Sequence, residues 1–347
     1  MIRVLSALIV GSALMGACGR TEQPVLSPDA IVGGVNYVGM TVSDLDASTQ
    51  YYSDVMAMEV VDTAPATVAD ELTKGPVTGA QTRMLRSVNA QIRLFEFEGA
   101  DQNTPAPPAA LQGPGIAHIC FQVAQSVNMY KKALEQGARP IGDVDLVQLI
   151  SRNPVYYGYA KDRDGIVFEI EEIDKEKIPE DRRPPNDYRI RHVSLATADL
   201  DQLVSFYSAL LDIESPRQIG GKDGISGERF DKVSGLAGSS IRMAWFQIRN
   251  LELEIFQYVS HPPEPAASPR MLNDLGYNFI VFDTVDLDRA REKIVAAGGA
   301  IIEGPETLDE HPAIFARDPD GNILAFQVTK PTDVFSSQNF SGNGTEK

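Results

Sequence analysis

A pattern that recurs four times along the chain limits its possible folds more than any other feature. Tyr37-Val38-Gly39-Met40-Thr41-Val42-Ser43-Asp44-Leu45-Asp46 matches His192-Val193-Ser194-Leu195-Ala196-Thr197-Ala198-Asp199-Leu200-Asp201 in its alternation and its closing Asp-Leu-Asp. Each then runs into an aromatic pair, Tyr51-Tyr52 or Phe206-Tyr207. Alternation, then an Asp cap, then apolar residues at a 3.6 period reads as strand, turn, helix, with helices expected over 47–58 and 202–211. Two fainter copies begin at Gly115-Ile116-Ala117-His118 and Gly276-Tyr277-Asn278-Phe279, with helices expected over 127–136 and 289–297. These two helices stop at Gly137 and Gly298, where a left-handed C-terminal cap favours glycine. The same copies close on Asp162-Arg163-Asp164-Gly165 and Asp318-Pro319-Asp320-Gly321-Asn322 followed by an apolar strand. A calcium loop needs an oxygen ligand at its first position, and Ala160 and Ala316 stand there, so both read as turns. Pro-rich, charged stretches at 102–114, 175–187 and 261–269 read as linkers.

The 347 residues are enough for two domains, and 43% hydrophobic with 23% charged residues is ordinary globular composition. Forty-eight acidic against 31 basic residues give a net charge of −17. That argues against nucleic acid or an anionic membrane face as the main partner. Arg3 precedes an apolar run over 4–15 that is too short to span a bilayer and has the shape of a secretory signal. Leu14-Met15-Gly16-Ala17-Cys18 resembles a bacterial lipobox. The resemblance implies a signal peptide over 1–17, a lipidated Cys18, a tether over 18–33 and an address on the periplasmic side of the cell envelope. Gly19, rather than Asp, after the cysteine favours the outer membrane. With Cys18 acylated, Cys120 has no partner and reads as a buried, inert thiol. The Ser-, Asn- and Gly-rich end, 330–347, is expected to be a flexible tail.

Four βαβββ modules with Asp-Leu-Asp after the first strand and a closing Asp-Pro-Asp-Gly-Asn turn resemble the vicinal oxygen chelate superfamily. Its members include glyoxalase I, methylmalonyl-CoA epimerase, fosfomycin-resistance enzymes and extradiol dioxygenases. The resemblance runs from about Gly34 to Val328. It implies an α+β fold in which the four modules form two cupped mixed sheets, with a divalent metal inside a cup. The repeats divide the chain into a first domain over 34–173 (modules one and two), a linker over 174–187 and a second domain over 188–329 (modules three and four).

Family ligands are a His on a module's first strand and a Glu on its last. Carried over by position, the first-strand sites hold Tyr37, His118, His192 and Phe279, and the last-strand sites hold Arg93, Glu169, Glu254 and Ala325. Pairing module one with two and three with four leaves one His and one Glu per cup. Pairing two with three gathers His118, Glu169, His192 and Glu254 in one cup, and resembles the arrangement of fused monomeric glyoxalase I. The crossed pairing is preferred because it leaves no orphaned half-site. Two imidazoles and two carboxylates suit one Zn, Ni, Co, Mn or Fe(II) ion with open positions for a small substrate chelating through adjacent oxygens. Glu169 or Glu254 would serve as the base for proton abstraction next to a carbonyl.

The function expected is lyase or isomerase chemistry on a small molecule, with a monomer possible. The alternatives are an Fe(II) extradiol-type dioxygenase and a non-catalytic ligand-binding envelope lipoprotein. Glutathione-linked activity does not suit an address outside the cytoplasm. His261 and His311, each near proline, read as surface residues, Tyr156-Tyr157-Gly158-Tyr159 as strand packing, and Trp245 as core.

Overall fold

A computed structural model describes residues 30–346 except 67, 76, 100–105 and 265–267, so the expected signal peptide, Cys18 and most of the tether lie outside the described residues. Module one comprises β1 (Val32–Thr41), α1 (Leu45–Asp54), β2 (Glu59–Asp62), β3 (Gly79–Arg86) and β4 (Gln91–Glu98). Module two comprises β5 (Gly115–Ala124), α2 (Met129–Glu135), β6 (Arg139–Pro140), β7 (Val155–Lys161) and β8 (Val167–Ile173). Module three comprises β9 (Tyr188–Ala196), α3 (Leu200–Leu211), β10 (Arg217–Ile219), β11 (Ile225–Ser226), α4 (Glu228–Ser234), β12 (Ser240–Ile248) and β13 (Leu251–Tyr258). Module four comprises β14 (Gly276–Thr284), α5 (Leu287–Ala296), β15 (Ala300–Ile302), β16 (Thr307–Leu308), β17 (His311–Arg317) and β18 (Ile323–Val328).

The repeated Asp-Leu-Asp works as a helix start. The first Asp of each is the N-cap: Asp44 accepts from the Ala47 N–H, Asp199 from Gln202 and Asp286 from Arg289, at 2.9–3.1 Å. These three helices therefore begin two residues before the positions expected from periodicity alone, whereas α2, which lacks the motif, begins at Met129. Gly137 and Gly298 take φ of 96° and 98° just after α2 and α5, as a stop signal requires.

Two curled mixed sheets result, and each is built from one module of either half. One runs β15-β17-β18-β14-β1-β4-β3-β2, the other β10-β12-β13-β9-β5-β8-β7-β6. Modules four and one thus share a sheet across the antiparallel β1–β14 seam, and modules three and two share the other across β5–β9. The crossed pairing holds. Alternate residues divide between the faces: Ile119, Phe121 and Val123 join the large core with the helices, while His118 and Cys120 face the other way, into the cup.

The hairpins at Asn89 and Asn250 lock the sheets to each other. The Asn250 amide donates to the Val35 and Asn89 carbonyls and accepts from the Val35 N–H, all at 2.9 Å. Asn89 mirrors it, donating to the Ile190 and Asn250 carbonyls and accepting from the Ile190 N–H. Both side chains are fully buried.

The end of the chain corrects the expectation of a loose tail. Its Ser337 N–H donates to buried Asp283 at 2.6 Å, and Arg249 donates to the Ser337 and Phe340 carbonyls. Arg189 and Asn186 reach the Asn343 and Gly344 carbonyls. Polar composition marks a tail as soluble, but these polar atoms find buried partners on both sheets. The Asp turns do more than turn as well: Asp162 accepts from the Tyr52 hydroxyl and Asp318 from Tyr207, each at 3.0 Å, tying α1 and α3 to the neighbouring modules.

Candidate metal centre

Register explains why the four ligand positions are equivalent. In every module one residue is skipped in the central seam just before the first-strand site: Asn36 before Tyr37, Ala117 before His118, Arg191 before His192, and Asn278 before Phe279. Such a bulge turns two consecutive side chains toward one face. The last-strand site then pairs, in each module, with the residue two beyond the first-strand site: Arg93 with Gly39, Glu169 with Cys120, Glu254 with Ser194, Ala325 with Val281.

In the cup of modules two and three, His118, Glu169, His192 and Glu254 converge, one ligand atom from each lying within 4.8 Å of all the others. His192 Nε2 is 3.0 Å from Glu169 Oε2 and 3.4 Å from Glu254 Oε2; His118 Nε2 is 3.4 and 3.6 Å from the same atoms. All four residues are buried, none more than 5% exposed. Ligand bonds of about 2.1 Å give donor–donor edges of about 3.0 Å in an octahedron and about 3.4 Å in a tetrahedron, so the spacing fits a single cation. Neither His118 nitrogen nor His192 Nδ1 has a hydrogen-bond partner among the described residues. Two buried carboxylates against two imidazoles also leave negative charge that a divalent ion would neutralise.

Burial alone would raise the Glu169 carboxyl, but the His118 and His192 rings facing it outweigh burial and hold it well below the usual carboxylate range. For His192, burial works against the proton, and the Glu254 and Glu169 carboxylates overcome it, raising the imidazole. Ser194 Oγ donates to Glu254 Oε2 at 2.5 Å and fixes that carboxylate. Among the described residues no hydroxyl holds Glu169 in the same way. Cys120 lies beneath, buried, its thiol pushed up by burial and by the Glu169 and Glu171 charges, in keeping with an inert group.

In the other cup the ligand positions carry non-ligating groups, beside a smaller pocket lined by Leu72, Phe95, Phe279 and Phe315. Arg93 pairs with Asp309, which also accepts from the Tyr37 hydroxyl at 2.8 Å. Phe279 packs edge-on against Tyr37 and lies so close to Gly39 that a Cβ there would meet its ring at 1.9 Å. A guanidinium stands where a metal ion would.

A cleft opens onto the cluster, with Glu169, His192 and Glu254 in its wall. Tyr157 and Trp245 are buried, as core and strand-packing residues are, and with Tyr159 they also border the cleft. Their alternation with core residues was legible, but which face carried the cup was not. Arg191, Arg217 and Tyr258 also line it, as do Phe230, Val233 and Ser234 from α4. Nothing in the repeat marked Arg217 or Ser194, because neither type is fixed by the module pattern. Arg191, the bulge residue, is held by Glu171 and by Glu252 at 3.1 Å. His261 and His311 lie away from the cluster, both partly exposed.

Comparison with known proteins follows the same division. The family model Glyoxalase/Bleomycin resistance protein/Dioxygenase superfamily matches residues 34–170 and again 189–326. An ethylmalonyl-CoA/methylmalonyl-CoA epimerase of Cereibacter sphaeroides is 28% identical over 145 residues, covering 41% of this chain and all of the relative. The mitochondrial methylmalonyl-CoA epimerase of Mus musculus is 23% identical over 174 residues, covering 49% of this chain and 89% of the relative. Among solved structures, glyoxalase I from Zea mays superposes with a TM-score of 0.59 at 17% identity, over 85% of this chain and 92% of its own. With two family-model matches spanning most of its length, a matching two-cup fold and a His/Glu cluster in one cup, the chain belongs to the glyoxalase/bleomycin resistance/dioxygenase superfamily.

Proposed function

We propose that the chain is a divalent-metal-dependent enzyme of lyase or isomerase type, acting on a small substrate that chelates through neighbouring oxygens. The observation that carries this reading is the buried convergence of His118, Glu169, His192 and Glu254 in the cup of modules two and three. Those four residues would hold the ion, which when bound supplies Lewis-acid polarisation of a substrate oxygen. The chain's own groups do the rest. Ser194 restrains Glu254, leaving Glu169 as the carboxylate to take a proton from the carbon next to the carbonyl that carries that oxygen. Tyr159 and Tyr258, whose phenols burial raises, remain neutral donors in the cleft wall. The epimerase relatives support carbon-acid chemistry of this kind. An Fe(II) oxygenase uses two His and one carboxylate, and the second buried Glu favours the first reading over it.

Purified chain lacking residues 1–18 should contain one divalent ion per molecule by elemental analysis. His118→Ala and His192→Ala should each remove most of it, Tyr37→Ala none, and the His double variant little more than either single one. Two ions, each lost with one His, would refute the shared site; no ion under any condition would leave the non-catalytic binding reading. Oxygen uptake with catechols would instead support the dioxygenase.

We further propose that Cys18 is acylated and holds the protein on the periplasmic side of the envelope, by preference at the outer membrane. Durable anchoring requires more than one acyl chain. Cys18→Ser should release the protein or leave an unprocessed precursor; wild-type fractionation and migration of that variant would reject the assignment.

A further inference from the structure

The geometry points to a carboxylate-binding subsite at Arg217 and Trp245, so that the substrate joins an oxygen-chelating head to a monoanionic end through an apolar spacer. This rests on the metal reading for the head but not for the anion. A single row crosses the sheet: Arg217 pairs with Trp245, Trp245 with Glu254, Glu254 with Ser194, and Ser194 with His118. Arg217 therefore sits two strand spacings, about 10 Å, from the backbone of a candidate ligand on the same cleft.

Its guanidinium stacks on the Trp245 ring 3.9 Å from the centroid and makes no hydrogen bond or ion pair among the described residues. Burial, and then repulsion by Arg191, outweigh the pull of the Glu252, Glu254 and Glu171 carboxylates and lower its pKa. Trp245 is 93% buried, being 7% exposed, yet its indole N–H also has no acceptor. An indole N–H can only donate and a guanidinium only donates, so both call for an incoming oxygen. The other cleft arginine is committed to Glu171 and Glu252.

One free guanidinium beside Glu169, Glu171 and Glu254 balances a monoanion and disfavours a phosphate dianion. A planar carboxylate also matches the guanidinium fork. Along that row Trp245 itself lies between Arg217 and the cluster, and Ile219, Phe230, Ile241 and Met243 add apolar wall to the same cleft.

Trp245 is the only tryptophan of the sequence, so its emission reports on the subsite directly. The full chain, loaded with Zn²⁺, is titrated with alkyl hydroxamates ending in a carboxylate and with methyl-ended analogues of equal length. The carboxylate series should bind about tenfold tighter and shift Trp245 emission. In Arg217→Gln, with melting and Zn²⁺ content checked as unchanged, the preference should fall to about one while methyl-ended probes bind as before. Equal affinities in the wild type, or a preference that survives Arg217→Gln, would overturn the assignment and leave the metal reading intact. If no hydroxamate engages the Zn²⁺-loaded chain, the metal reading fails, and benzoate on the metal-free chain decides the subsite. A Trp245 response in the wild type that is lost in Arg217→Gln sustains it; no response in the wild type overturns it.

Discussion

Asn250→Ala should be among the most damaging single substitutions remote from the cup. Its amide makes three bonds at 2.9 Å between the two sheets, to the Val35 N–H, the Val35 carbonyl and the Asn89 carbonyl. At about 1 kcal/mol net each, their loss costs about 3 kcal/mol. The Val35 N–H is left buried without an acceptor, adding about 1–2 kcal/mol. A loss of about 4–5 kcal/mol is a large share of the ~5–15 kcal/mol that holds a domain together. Asn250→Asp tests the polarity of the argument. It keeps the acceptor toward the Val35 N–H but turns a buried carboxylate oxygen toward two carbonyls, so near neutral pH it should be worse than alanine. Acidification, which returns a donor to that oxygen, should recover part of the deficit. Urea unfolding followed by Trp245 emission, at constant slope, measures both. A cost below about 1 kcal/mol for Asn250→Ala, or wild-type stability for Asn250→Asp at neutral pH, would show that the amide does not bind the sheets together.

Ser194→Ala removes the hydroxyl that orients Glu254 and should weaken divalent-ion affinity about 10–100-fold, read by competition with a chelator, with little change in the metal-free melting temperature. Asp162 and Asp318 are both pushed up to about 6 by burial, against the backbone and tyrosine donors that favour their charged forms. The folded state therefore binds these protons more tightly than the unfolded chain, whose carboxyls titrate near 3.8. Their contribution to stability is full below the unfolded value and falls by about 3 kcal/mol per carboxyl as pH rises through 6. Asp162→Asn should lose its own share of that slope and keep that of Asp318; pH profiles of stability that run parallel to wild type would contradict the shift. Truncation after Lys330 should lower the urea midpoint, because Asp283, Arg249 and Arg189 lose buried partners, while leaving metal content unchanged.

The sequence by itself determined the modules, because what marks them is local. A 2-residue period sets which side chains share a strand face, an Asp caps the helix three residues on, and a glycine permits the left-handed turn that ends it. It also limited the candidate ligands: with only four histidines in the chain, the two at module sites, His118 and His192, stood beside the only glutamates at last-strand sites, Glu169 and Glu254. What it left open was long-range. Whether residues 115–124 pair with 188–196 or elsewhere depends on strand partners far apart along the chain, and only the β5–β9 seam decided that one cup holds all four groups. The skipped residues Ala117 and Arg191 break the alternation on which a sequence reading depends, and they aim each His into the cup. Arg217 and Trp245 became neighbours of the cluster through the register of three adjacent strands. The polar end of the chain found fixed partners for the same reason: its hydrogen bonds go to residues as distant as Asp283, Arg249 and Arg189, and no local pattern encodes them.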